Sequence, residues 1–194
     1  MTDPAHVDPR RTLRTQMVER RQQLKPAERI AAAQGLRRNL EQLPEFLVDE
    51  RIGGYWAHAG ELPLNLAIAG FPGRGQRLYL PLIGAKRSLR FAPWRNGEQV
   101  LPNRYGIPEP VAHERLLDPA QLDLVLVPLL GFDRHGHRLG FGGGYYDTSF
   151  AFLRDHARPA QPMLVGVGYA MQELASIQPQ PWDITLDYIA TENE

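Results

Sequence analysis

The chain has 194 residues, 43% hydrophobic and 23% charged, which is enough for a sizeable core and ordinary for a globular protein. Lys plus Arg and Asp plus Glu both number 22, so there is no overall charge excess toward nucleic acid; without cysteine there is no disulfide, thiolate zinc site or cysteine nucleophile. No apolar run approaches the roughly 20 residues that span a bilayer, and the start, MTDPAHVDPRR, lacks the apolar core of a signal peptide, so a cytoplasmic location is expected.

Residues 1–9 carry two prolines and little that is apolar, and read as a disordered start to a single domain over 10–194. A helix is expected from Arg10, with Leu13 and Met17 on one face and arginines on the rest. Pro26 suits a first helical turn, and a second helix is expected to about Leu43. Nine basic residues against two acidic ones between Arg10 and Arg38 make a local basic patch. Charge alone favours a solvated helix face, and no aromatic residue interleaves the arginines as an RNA-stacking arm would need. The first strand is read over 51–57, followed by the turn AGELP, which puts Glu61 just beyond a strand end and Trp56 on the same approach. Without further information these are a surface Glu and a core Trp. A short helix over 64–69 and strands over 76–83 and 89–94 follow, then a proline-broken stretch, 103–110, with no regular element. Residues 122–128, apolar apart from Asp123, and 163–169 read as buried strands, as in a parallel sheet covered on both faces. A short helix over 171–177 and a last strand complete an α/β pattern, a sheet flanked by helices.

Between the apolar run at 122–130 and a further expected helix lies RLGFGGGYYD, residues 138–147. Glycines 140, 142, 143 and 144 allow positive φ and let main-chain N–H groups turn together toward an anion. The following stretch, 145–158, has no Gly or Pro, and Phe150, Leu153 and Ala157 recur at helical spacing, which would put the loop at a helix N-terminus. A plain tight turn is the competing reading, because the loop matches neither a Walker nor a dinucleotide fingerprint. Arg138 adds a guanidinium fork, Tyr145 and Tyr146 add rings with hydroxyls, and Asp133 is positioned to orient Arg138. Asp147 has two readings of equal weight: a hard ligand for a cation on phosphate, or a first-turn carboxylate contributing about 0.3–1 kcal/mol. His135 and His137 lack a third ligand and read as loop.

FDRHGHRLGFGGGYYD, residues 132–147, closely resembles the signature of the 5-formyltetrahydrofolate cyclo-ligase (5,10-methenyltetrahydrofolate synthetase) family. The resemblance runs nearly end to end: residues 10–14, GELP at 60–63, LPLI at 80–83, RYGIPEP at 104–110 and PWD at 181–183 fall in the family's order. It implies a three-layer fold related to ribose-5-phosphate isomerase and coenzyme A transferases, and an ATP- and Mg²⁺-dependent cyclisation of 5-formyltetrahydrofolate. It further implies that Arg10, Arg14, Arg138 and residues Leu139, Gly140, Phe141, Gly142, Gly143, Gly144, Tyr145 and Tyr146 bind ATP. Trp56, Glu61, Phe141 and Tyr145 would bind the folate, Arg138 and Tyr145 would act in catalysis, and Asp147 with Asp183 would hold Mg²⁺, Asp187 being the nearest rival. Arg10 replaces the family's usual lysine, keeping charge but changing shape. The expected partners are small molecules, with no nucleic acid or membrane, and the expected state is a monomer. The alternatives are a non-catalytic folate- or nucleotide-binding module on the same scaffold and, more remotely, phosphate-ester or coenzyme A chemistry, for which no carboxylate nucleophile stands out.

Overall fold

The computed structural model describes residues 9–111 and 115–194; the start expected to be disordered lies, except for Pro9, outside them. Helix α1 (Pro9–Gln22) leads into α2 (Pro26–Leu40), where Pro26 supplies a preset φ and the Glu28 carboxylate accepts the Lys25 N–H at 2.6 Å. Two short helices, α3 (Pro44–Val48) and α4 (Asn65–Ile68), flank β1 (Arg51–Gly53). Strands β2 (Arg77–Ile83), β3 (Leu89–Trp94), β6 (Leu124–Pro128), β9 (Met163–Val167) and β10 (Tyr188–Ala190) join β1 in a six-stranded sheet ordered β10-β9-β6-β1-β2-β3. All neighbours run parallel except β2 and β3, which pair antiparallel at one edge. Two small hairpins stand outside it, β4 (Val100–Pro102) with β5 (Pro108–Pro110), and β7 (Gly131–Phe132) with β8 (Arg138–Leu139).

The expected mixed α/β class is found, and the alternation of side chains explains how both sheet faces are buried. Leu124 and Leu126 of β6, Met163, Val165 and Val167 of β9 and Leu78 and Leu80 of β2 join Leu36, Leu40 and Phe46 in one core. Val125, Val127, Leu164 and Tyr79, the intervening residues, pack with Phe91, Phe150 and Leu153 on the other face. Met17, with Leu13 and Val18 against it, packs α1 onto Leu130, Leu139 and Ile177, so the first helix is seated on the β7–β8 hairpin.

Several expected elements are shorter. The second helix stops at Leu40 and α3 begins separately at Pro44. Strand β1 ends at Gly53, because the chain then leaves the ladder toward the sheet's carboxyl end after one last bond from Gly54 N–H to Tyr79 O at 2.9 Å. The helix after Gly144 is only α5 (Tyr145–Ser149): Ser149 Oγ accepts the Leu89 N–H at 2.8 Å, and Phe150 turns out of helical geometry (φ −106°) with its ring wholly buried. The expected helix over 171–177 is a single 3₁₀ turn, Ala170–Gln172, because Gln172 donates to the carbonyls of Leu129 and Leu130 and Leu174 N–H is taken by Phe132 O. Conversely, 103–110 contributes to a hairpin the sequence did not suggest; its prolines are tolerated because a two-stranded ribbon has outer N–H positions that need no partner.

Candidate active site

Strand β1 lies between β2 on one side and β6 on the other, so the sheet's connections diverge at its carboxyl end, where α/β sheets open a crevice. A cleft of about 510 Å³ occupies that place. From the segment that follows β1 come Tyr55, Trp56 and Glu61; from β2, Pro81 and Ile83; from β6, Pro128; from α1, Arg10 and Arg14; and from the other rim Trp182 and Asp183. The loop 140–144 with Tyr145, Tyr146 and Asp147 forms a further wall.

The loop's form follows from its glycines. Gly142 (φ +91°) and Gly144 (φ +70°) occupy left-handed backbone, whereas Gly140 and Gly143 do not. None of the N–H groups of residues 140–144 donates to an acceptor among the described residues, which leaves them available to an anion. The helix behind them is one short turn, so the positive potential comes from arginines rather than a macrodipole. Arg14 Nε donates to Gly140 O at 2.9 Å and fixes the loop to α1. Arg138, only 8% exposed, lies 5.4 Å over the Tyr146 ring and donates to Asp147 Oδ1 at 2.6 Å. Its partner is therefore Asp147; Asp133, wholly buried, instead accepts from the N–H groups of His135, His137 and Ile177 and pairs with the His137 ring.

Asp147 and Asp183 converge although 36 positions apart. Asp147 Oδ1 also accepts the Ile184 N–H at 3.2 Å, so the residue after Asp183 touches Asp147. Asp183 Oδ2 in turn pairs with Arg10 NH2 at 2.6 Å and accepts the Gln180 N–H at 2.8 Å. Asp187 is elsewhere: its buried carboxylate is held by Arg158 at 2.6 Å and Leu164 N–H at 2.7 Å, outside the cleft. Among the described residues no three His, Cys, Asp or Glu side chains form a group able to hold an ion alone. Two hard carboxylates on one rim fit Mg²⁺, which takes one or two of them together with substrate phosphates.

On the opposite wall Glu61 closes a turn, its Oε2 accepting the His58 N–H at 2.8 Å. Burial pushes its carboxyl up to about 7, against the pull of the His58 N–H and the Arg21 charge. Trp56 meets Trp94 edge to face at 5.3 Å, presenting an indole surface next to it. Burial also pushes the Tyr55 and Tyr146 hydroxyls up, so both are neutral donors.

All the site residues expected from the sequence line this cleft except Leu139, whose side chain is wholly buried with Met17, Leu130 and Ile177 and whose carbonyl takes the Leu130 N–H at 2.8 Å. Residues 103–110, expected to hold no regular element, build part of the wall. Tyr145 OH lies 3.0 Å from Tyr105 OH and accepts from Arg104 at 2.6 Å, and these two hydrogen bonds hold its pKa below the usual tyrosine value. Glu109 Oε1 receives the Ile83 N–H and the Asn103 amide. Only the pairing of 103–110 over β2 puts these polar groups at the mouth.

The model of the 5-formyltetrahydrofolate cyclo-ligase family matches residues 7–192. Proteins named 5-formyltetrahydrofolate cyclo-ligase from Haemophilus influenzae and Escherichia coli K12 are 27% and 28% identical to the chain, covering 91% and 89% of it and 94% of each relative. The solved 5,10-methenyltetrahydrofolate synthetase of Aquifex aeolicus superposes with a TM-score of 0.78 at 29% identity, covering 95% of this chain and 90% of that one. A Mycoplasma pneumoniae structure of the same name gives 0.73 at 22% identity, over 95% and 99%, a likeness of fold.

Proposed function

The chain belongs to the 5-formyltetrahydrofolate cyclo-ligase family and is a ligase that closes 5-formyltetrahydrofolate to 5,10-methenyltetrahydrofolate, and we propose that its cleft does so with ATP, Mg²⁺ and the residues named above. One observation carries the reading: a single crevice joins three arginines and a glycine loop, whose N–H groups have no acceptor among the described residues, to a wall bearing a carboxyl and an indole. A triphosphate suits the first half and a pterin, polar at its edge and flat on its face, suits the second.

The chemistry demands activation. A formamide carbon is a poor electrophile because nitrogen donates into it, and its oxygen is a poor leaving group. Transfer of the γ-phosphoryl group to the formyl oxygen, with ADP departing, answers both. N10 of the folate then bonds to the formyl carbon and loses its proton, and the C–O bond breaks to release phosphate carrying the former formyl oxygen. No covalent enzyme intermediate is needed, and the protein's part is positioning and charge neutralisation. Arg10, Arg14 and Arg138 bind phosphate oxygens, and the N–H groups of 140–144 cradle them. Phosphates offer Arg10 and Arg138 new acceptors, which leaves the carboxylates of Asp183 and Asp147 for Mg²⁺. When bound there, the ion would offset charge on the polyphosphate. Glu61 accepts from the pterin edge, Trp56 and Phe141 cover its faces, and Tyr145 lies between the two ligands, its hydroxyl held by Arg104.

Near-ultraviolet absorbance of the methenyl product tests this reading in a mixture of protein, 5-formyltetrahydrofolate, Mg²⁺ and ATP, with ATP omitted as control. An ATP-dependent rise that Glu61→Ala and Asp147→Asn both abolish supports the two half-sites. Folate binding without any rise would instead make the chain a non-catalytic binding module.

A further inference from the structure

A third arginine of α1 points away from the phosphate side. Arg21 is wholly buried, and its NH2 donates to Ala59 O at 2.8 Å. Its guanidinium lies 5.4 Å from the centroid of the Phe141 ring, in the middle of the glycine loop. Its Nε and NH1 are buried with no hydrogen-bond acceptor among the described residues. From α2, Arg29 reinforces the arrangement, donating to Arg21 O at 2.6 Å and to Gly60 O at 3.2 Å. The carbonyls of residues 59 and 60 are thus both held by arginines, at a turn where Ala59 (φ +47°) and Gly60 (φ +80°) take left-handed backbone. A non-glycine residue keeps such a conformation only where its surroundings impose it. That turn ends at Glu61, whose N–H bonds His58 O at 3.0 Å.

We propose that Arg21 is a positioning residue that ties the glycine-rich loop to the Glu61 turn, so that nucleotide and folate bind with positive cooperativity. The inference rests on the two half-sites assigned above and adds the physical link between them. Phe141, 49% exposed, forms the free surface of the loop, and its inner face rests on a guanidinium that holds the other half-site's turn. Whatever seats the ring on Arg21 also seats the turn that aims Glu61. A buried guanidinium with unsatisfied N–H groups is costly unless its charge is used, and the carboxylate that feels this charge is Glu61. The charge favours the carboxylate form, the acceptor a pterin edge requires. The other titratable groups around Glu61 are the Tyr55 and Tyr146 hydroxyls, both pushed up by burial, and His58, which offers its backbone N–H.

Calorimetric titration with 5-formyltetrahydrofolate, with and without adenylyl imidodiphosphate and Mg²⁺, tests the link. In the unaltered protein the nucleotide should tighten folate at least about 5-fold. In Arg21→Met and in Phe141→Leu, which changes a half-exposed side chain and keeps the test alive if the buried variant unfolds, the enhancement should fall below about 2-fold. Arg21→Met should also move the acid limb of folate affinity to higher pH, with Arg21→Lys returning it toward the original position, a shift that a merely structural role would not produce. Folate binding with the same enhancement in both variants overturns this inference alone. No folate binding by the unaltered protein overturns the reading of the cleft and the link with it.

Discussion

Glu61 connects burial to recognition. Its folded value of about 7 lies above the ordinary 4.5, so the folded state holds an extra proton between those values. Stability is therefore highest at and below pH ~4.5 as far as this group is concerned, and falls as pH rises through 7, by about 3 kcal/mol at most. Glu61→Gln removes that cost, and thermal melts should show it gaining on the parent as pH goes from 5 to 8. The same substitution should weaken folate about 10- to 100-fold at pH 8, since it loses a hydrogen bond to a charged acceptor. Equal pH dependence of the two melts would mean that Glu61 is not desolvated. Asp147 makes a different demand. As a first-turn carboxylate its removal would cost little, but it is the partner of a nearly buried Arg138. Asp147→Ala should therefore lose on the order of 3 kcal/mol, the range for stranding one member of a buried pair. Asp147→Asn keeps an acceptor for Arg138 and Ile184, so it should melt within about 1 kcal/mol of the parent while losing 100-fold or more in turnover. Turnover retained in the Asn variant would remove Asp147 from the cation site.

The β7–β8 hairpin is the element that aims Arg138 into the cleft. Its turn is set by Gly136 (φ +79°), where a Cβ would come within 2.6 Å of Leu186 O. Gly136→Ala should cost 2 kcal/mol or more, combining backbone strain with displacement of the 183–187 segment. Because that segment carries Asp183 and Ile184, the variant should also raise the KM for ATP, which steady-state kinetics and melts read together. A variant with unchanged KM and stability would mean that the hairpin does not couple to the rim. Helix α5, by contrast, is stopped by its own partners: Ser149 holds the Leu89 N–H and Phe150 drops into the core. The 3.6-residue spacing of Phe150, Leu153 and Ala157 predicted a longer helix because spacing records which residues are apolar, and a chain turning into a core needs the same residues without helical geometry.

For the whole molecule, a sheet buried on both faces predicts the order of opening. Amides of β1, β6 and β9 should exchange slowest, and those of the β4–β5 hairpin much sooner, in hydrogen-exchange measurements. Addition of ATP analogue, Mg²⁺ and folate at about 100 times their dissociation constants should add about 2.7 kcal/mol per independent site and slow exchange in the hairpin that covers the cleft. No helix among the described residues is long and apolar enough to cross a membrane.

Residues 122–128 and 163–169 were legible as buried strands from their apolar character, though the ladder takes up only 124–128 and 163–167 of them, and the glycine, tyrosine and aspartate signature was legible because it is contiguous: a loop's conformation depends mainly on its own residues. The composition likewise excluded cysteine chemistry outright. What required the fold were meetings between distant segments. Asp147 reaches Asp183 because the chain after β9 returns over α5, and Arg104 and Tyr105 reach Tyr145 because a proline-rich stretch pairs with β4. Arg21, one of nine basic residues in a patch that looked solvated, proved wholly buried. Its burial depends on how α1 seats against the loop and the 59–61 turn, a contact energy between surfaces that no local periodicity encodes.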